Sequence, residues 1–99
     1  MLASIENAQK LNKLSGWKYD HINSYTAGYL LRKLPPSLDV RQGNWFELYN
    51  DSGDHWDAGY EYATSEPETS GYYQHADTPE DALALLCIRL IEEGILKHD

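Results

Sequence analysis

The sequence predicts an α+β fold with two N-terminal helices, a mainly antiparallel sheet of three to four strands, and one long C-terminal helix packed on that sheet. Apolar residues recur at helical spacing early in the chain, alternate with period two near its middle, and follow a strong capping sequence near its end. We expect one domain over residues 1–99, because a second core would need roughly another 50 to 100 residues.

The first two predicted helices are amphipathic. The apolar residues of the first helix recur at every third position: Leu2, Ile5, Ala8, Leu11 and Leu14. Gly16 follows them and is the typical residue at a helix end. The second helix is predicted from about residue 22 to residue 34, where Pro35-Pro36 stops it. Its N-cap is predicted to be Ser24 or Asp20.

The middle of the chain predicts a hairpin and a returning strand. Leu38 and Val40 indicate a brief strand, and residues 44–49 are aromatic-rich and strand-like. Residues 50–54 have the composition of a turn, and residues 55–63 alternate with period two. After a polar loop, residues 72–75 are expected to return as a short strand.

The last helix has the clearest local signal. Thr78 is a typical N-cap, Pro79 fits the first helical position, and Glu80 and Asp81 place negative charge in the first turn. Gly94 is expected to end the helix. Apolar residues nearly encircle its first two turns, so it is predicted to be buried against the sheet.

Charge is distributed unevenly along the chain. Residues 42–88 contain ten Asp and Glu and no Lys or Arg, together with eight of the twelve aromatic residues. Such a segment favours a basic protein partner and disfavours direct nucleic-acid or anionic-membrane binding, which needs clustered Lys and Arg. The more basic first 41 residues also allow a homodimer through charge complementarity.

The alternation in the hairpin predicts an exposed partner-binding patch. If Trp56, Tyr60 and Tyr62 point to the core, together with Phe46 and Leu48, the residues between them face the other way. The predicted patch consists of Trp45, Glu47, Tyr49, His55, Asp57 and Glu61. Aromatic residues give large contact areas and carboxylates select basic partners. The alternative is that helices cover both sheet faces, which would make Trp45 and Tyr49 core residues.

Catalysis and metal binding have little support in the sequence. Asp51, Asp54, His55 and Asp57 are close in sequence, but their order does not match a calcium loop and a solvated turn explains them. Nothing in the sequence brings His21, His55 and His75 together, and Cys87 is predicted to be a buried structural thiol. We therefore predict a non-enzymatic protein without a cofactor or metal. The alternatives are an acidic nucleic-acid mimic and, third, a metal-dependent hydrolase.

Three segments carry a family resemblance: Leu14-Ser15-Gly16-Trp17-Lys18, then residues 25–34, then Ala76-Asp77-Thr78-Pro79-Glu80-Asp81-Ala82. They resemble the helix-ending Gly-Trp, the second helix and the Ala-Asp-Thr opening of the last helix in the phage ABA sandwich domain of small phage and prophage proteins. The resemblance implies the order helix, helix, sheet, helix. It implies no established activity, and the acidic hairpin lies outside the three segments.

The sequence also predicts a cytoplasmic location. The longest apolar run, residues 82–88, is far shorter than the roughly 20 residues of a membrane-spanning helix. The first seven residues include an acid and an amide where a signal peptide would have basic residues. The lone Cys87 agrees, since small secreted domains usually carry several cysteines.

Overall fold

The computed structural model describes residues 1–38, 45–60 and 72–96. These ranges contain three helices, α1 (Ile5–Ser15), α2 (Ala27–Lys33) and α3 (Pro79–Glu92). They also contain three strands, β1 (Phe46–Ser52), β2 (His55–Tyr60) and β3 (Tyr72–Ala76). The strands form one antiparallel sheet in the order β1-β2-β3. The predicted α+β class is confirmed. A fourth strand is not seen in the described ranges: Ser37 forms an isolated bridge with Trp45, and Val40 lies outside them.

Helix α1 ends before Gly16 as predicted, but it begins at Ile5, and Leu2 lies outside it in a bridge with Thr26. The hydroxyl of Ser4 accepts a hydrogen bond from the backbone N–H of Asn7, and Gly16 ends the helix with φ 74°. Ala8 and Leu11 are fully buried, whereas Ile5 is 63% exposed. A strict three-residue repeat rotates around a helix of 3.6 residues per turn, so Ile5 falls outside the buried stripe.

Helix α2 is shorter than predicted and has a different cap. It begins at Ala27, and the hydroxyl of Thr26 accepts a hydrogen bond from the N–H of Tyr29. The predicted N-caps, Ser24 and Asp20, are therefore wrong. The Asp20 carboxylate instead accepts hydrogen bonds from the backbone and side chain of Thr26, and the Ser24 hydroxyl donates to the carbonyl of Ala3. These polar contacts hold the connection before the helix in a non-helical conformation.

The sheet has one face toward the core. Phe46 pairs with Tyr60 and Leu48 with Ala58 on that face. Ala58 and Tyr60 are buried, and Phe46, Leu48 and Trp56 are partly buried, so the inward orientation predicted for these residues is confirmed. Tyr62 lies outside the described residues. The Tyr60 hydroxyl donates to the carbonyl of Pro35 at 2.6 Å, which joins the sheet to the chain after α2.

Helix α3 packs against both the sheet and the other two helices. It contacts β2 and β3, and it also contacts α1 and α2. Its predicted start is confirmed: Thr78 is the N-cap and Pro79 the first helical residue, while Gly94 lies just beyond the helix with φ 75°. Asp81 accepts hydrogen bonds from the N–H of Ser4 at 2.6 Å and from the side chain of Asn7 at 3.0 Å. In the described ranges no helix has both the length and the apolar character to cross a bilayer.

Candidate functional site

The candidate site is the face of the sheet opposite α3, which we call the outer face. It is formed by alternate residues of the three strands and by the residue that precedes β1. Its described members are Trp45, Glu47, Tyr49, His55, Asp57, Gly59, Tyr73 and His75. Successive side chains in a strand point to opposite faces of the sheet. The residues that alternate with the core-facing ones therefore lie on the outer face.

Two aromatic side chains of the outer face are open to solvent. Trp45 is 56% exposed and Tyr49 is 45% exposed. Among the described helices, α3 makes the extensive contacts with the sheet, and α1 and α2 pack on α3. The alternative interpretation, in which Trp45 and Tyr49 are core residues under a second layer of helices, is therefore wrong for this part of the chain.

Glu47 is held by a contact that crosses the central strand. The hydroxyl of Tyr73 on β3 donates to Glu47 Oε2 on β1 at 2.8 Å. Between them lies Gly59, which pairs with Glu47 on one side and with Tyr73 on the other. A Cβ at Gly59 would lie 2.0 Å from the carbonyl oxygen of Tyr72 and 2.7 Å from Cδ1 of Tyr73. The missing side chain thus makes room for the tyrosine to reach Glu47.

One residue of the predicted exposed patch, Asp57, is buried. It has the expected orientation but is only 3% exposed, so its carboxylate is not open to a protein partner. Asp57 lies on the central strand, with Tyr49 directly opposite on β1 and His75 directly opposite on β3. Its Oδ1 contacts Nδ1 of His75. Alternation predicts which face a side chain takes, whereas burial on that face depends on the neighbouring strands.

A second imidazole lies beside this pair. The rings of His55 and His75 are stacked with 5.3 Å between their centroids and an angle of 26° between their planes. One ligand atom from each of His55, Asp57 and His75 lies within 4.8 Å of the others. Nothing in the sequence predicts that His75 lies beside His55. The sequence predicts the short strand that carries His75, but it does not contain the register that places His75 opposite Asp57.

Two further acidic residues, at the turn of the hairpin, are exposed to solvent. Asp51 and Asp54 are exposed at its turn, and Glu61 lies outside the described residues. Among the described residues, the ion pairs join Lys10 to Glu92, Arg89 to Glu93 and His75 to Asp57. In this part of the chain, then, no Lys or Arg neutralises a carboxylate of the outer face or of the hairpin turn.

The other residues considered for catalysis do not join the outer face. His21 pairs with Ser24 in the connection between α1 and α2. Cys87 is completely buried in α3, and desolvation raises the pKa of its thiol to about 12. A thiol with that pKa carries almost no thiolate at neutral pH, so it is a packing residue and not a nucleophile.

Comparisons with protein-family models, with curated proteins and with solved structures give no match for this chain. The resemblance to the phage ABA sandwich domain therefore stays a prediction. Function has to be argued from the outer face itself.

Proposed function

We propose that this protein is a small, non-catalytic binding module that captures a basic segment of another protein on its outer face. The observation that carries the proposal is the exposure of Trp45 and Tyr49 beside carboxylates that have no Lys or Arg partner among the described residues. Trp and Tyr side chains are enriched among the residues that contribute most of the binding energy in protein–protein contacts.

The chemistry of the face selects the partner. Trp and Tyr rings attract Lys and Arg through cation–π contacts, and neighbouring carboxylates attract the same groups through charge. Glu47 is pre-oriented by the hydrogen bond from Tyr73, so less side-chain entropy is lost when it binds a cation. An extended or helical segment with two or three basic residues would contact both the aromatic rings and the carboxylates of the outer face.

The proposed contact set differs from the sequence-based patch. Trp45, Glu47, Tyr49 and His55 remain in it because they are exposed, and Asp57 leaves it because it is buried. The exposed turn residues Asp51 and Asp54 add negative charge at one end. Glu61 remains a predicted member of the patch.

Binding to basic peptides tests this proposal. The 99-residue chain is screened against an array of Lys- and Arg-containing peptides, and the best peptide is titrated by calorimetry. We expect Trp45→Ala and Tyr49→Ala each to weaken binding by more than about 1 kcal/mol, with the larger loss, about 2 kcal/mol, at the centre of the contact. Glu47→Lys is expected to weaken binding further by charge repulsion.

Matched controls use exposed residues away from the outer face. Ile22 is 80% exposed in the connection between α1 and α2, and Glu6 is exposed on α1. Ile22→Ala and Glu6→Lys are expected to bind as the wild type does. Equal losses in the controls and the outer-face variants, or no selected peptide at all, would contradict the proposal. Displacement of a captured protein by duplex DNA would favour the acidic nucleic-acid mimic instead.

A further inference from the structure

Three potential metal ligands converge at the β2–β3 side of the outer face. His75 and Asp57 are directly opposite each other on neighbouring strands, and His55 lies two residues before Asp57 on the same side of β2. Their ligand atoms lie within 4.8 Å of one another. Two imidazoles and one carboxylate are a ligand set that divalent transition metals accept, including catalytic zinc with three protein ligands and an open position.

We propose that His55, Asp57 and His75 form a binding site for one divalent transition-metal ion, with Zn²⁺ as the ion best suited to it. The inference goes beyond partner binding, because it concerns side chains that bridge two strands of this chain and shares only His55 with the proposed contact set. It also departs from the sequence-based expectation of no metal. That expectation considered Asp51, Asp54, His55 and Asp57, whereas the third ligand of this site comes from β3.

The environment of Asp57 supports this assignment. Its side chain is 4% exposed, and among the described residues it contacts Nδ1 of His75. An ionised carboxylate can accept about four hydrogen bonds. A single imidazole contact leaves acceptor sites on the carboxylate for a further ligand, and a largely buried carboxylate is stabilised when it coordinates a metal.

The geometry leaves the ion accessible. The His75 side chain is 61% exposed and His55 is exposed, so an ion can enter from solvent and keep a water molecule as its fourth ligand. Bonds from zinc to nitrogen or oxygen are about 2.0–2.2 Å long, so the ligand atoms of a tetrahedral ion lie about 3.4 Å apart. Binding therefore requires the two exposed imidazoles to turn until the ligand atoms, which lie within 4.8 Å of one another, surround the ion.

Backbone pairing holds the ligands in place. Asp57 and His75 occupy paired positions of the antiparallel sheet, so their separation is fixed by the ladder between β2 and β3. A site of this kind needs only side-chain adjustment on binding. The bound ion would join the two strands and stabilise the folded protein, because a ligand that binds only the folded state shifts the unfolding equilibrium.

Titration of the chelator-treated protein with Zn²⁺ tests the site. We expect one equivalent to bind by calorimetry and to raise the melting temperature, with no effect of Mg²⁺, which prefers oxygen ligands. Co²⁺ in place of Zn²⁺ should give the visible absorption of a four- or five-coordinate ion. His55→Gln and His75→Gln should each lower the affinity at least about tenfold, since even partners outside the ligand shell are worth 10–100-fold.

His21→Gln is the matched control, because this histidine lies in the connection between α1 and α2. It should bind Zn²⁺ as the wild type does. Asp57→Asn should also weaken binding, and if it fails to fold, the two histidine variants still decide the question. No Zn²⁺ binding, or full binding in the His55→Gln/His75→Gln double variant, would overturn the proposal and leave His75 and Asp57 as an ion pair.

Discussion

At the scale of single residues, Gly59 decides how the outer face is arranged. It lies on the central strand between Glu47 and Tyr73, and the tyrosine crosses above it to donate to the glutamate. The alternating pattern does not reveal this role of Gly59, because a glycine inside a strand usually only weakens the strand. Here its missing side chain is what allows the contact.

Replacing Gly59 by Ala should destabilise the protein. The new Cβ would lie 2.0 Å from a backbone oxygen, that of Tyr72, which cannot move without disturbing the pairing of β2 with β3. We expect Gly59→Ala to lower the free energy of unfolding by about 1–3 kcal/mol or more, as overpacking does. Urea denaturation measures the change.

Gly28→Ala provides the matched control. Gly28 is within α2, and the nearest atom to an added Cβ is Nη1 of Arg32 at 3.8 Å. This change should raise the free energy of unfolding by about 0.5–1 kcal/mol, because Ala is the better helix former. Equal effects of the two substitutions would show that the close approach at Gly59 is absent.

Tyr60 predicts how stability depends on alkaline pH. Burial raises the pKa of Tyr60 above its ordinary value of 10.0, and the nearby Cys87 raises it further. The folded protein therefore holds this proton more tightly than the unfolded chain does. Its contribution to stability is complete below about pH 10 and decreases as the pH rises above that value.

The Tyr60→Phe variant tests this dependence. At neutral pH it should lose about 0.5–1.5 kcal/mol with the hydrogen bond to Pro35, but its stability should decline less steeply above pH 10 than that of the wild type. Urea denaturation at several pH values between neutrality and the alkaline range measures both slopes. Parallel declines in the two proteins would assign the alkaline loss to other groups.

At the scale of elements, local capping signals separate the helices that the sequence predicts well from the one it does not. Both α1 and α3 carry a Ser or Thr cap and a glycine after the last turn, and both ends of α3 and the end of α1 agree with the prediction. The start of α2 depends on Asp20, six residues before the Thr26 it contacts. A pattern of apolar residues does not contain that tertiary contact.

The cap of α3 gives a prediction at this scale. The Thr78 hydroxyl accepts a hydrogen bond from the backbone N–H of Asp81. The Asp81 carboxylate in turn accepts a hydrogen bond from the N–H of Ser4, the N-cap of α1. Thr78→Ala should lower the free energy of unfolding by about 0.5–2 kcal/mol. Thr78→Ser keeps the hydroxyl and should retain most of the stability in thermal or urea unfolding. Equal losses in Ala and Ser would assign the effect to the methyl group of Thr78.

At the scale of the whole molecule, charge is the property that the sequence predicts best. The net charge of −8 and the acidic middle of the chain can be counted directly. The candidate site was predicted less completely. Alternation identified the outer face. The contact between buried Asp57 and exposed His75 depends on the register of β3, which is set by contacts distant in sequence.

The charge distribution predicts that salt stabilises the protein. The screening length falls from about 30 Å at 0.01 M salt to about 10 Å at 0.1 M, so repulsion among exposed carboxylates weakens. We expect the urea midpoint to rise over this range, by up to about 1 kcal/mol in free energy of unfolding. The Asp51→Asn/Asp54→Asn variant should gain less. A midpoint that falls with salt would mean that attractive ion pairs outweigh the repulsion.

The position of α3 between the sheet and the other two helices has a consequence for biosynthesis. Residues 79–92 follow every other described element along the chain, yet both remaining layers pack against them. While the ribosome is still adding this segment, the earlier strands and helices lack the surface that would bring them together. Assembly must therefore wait until residues 79–92 have left the ribosome, and nascent chains stalled before residue 79 should be digested by added protease.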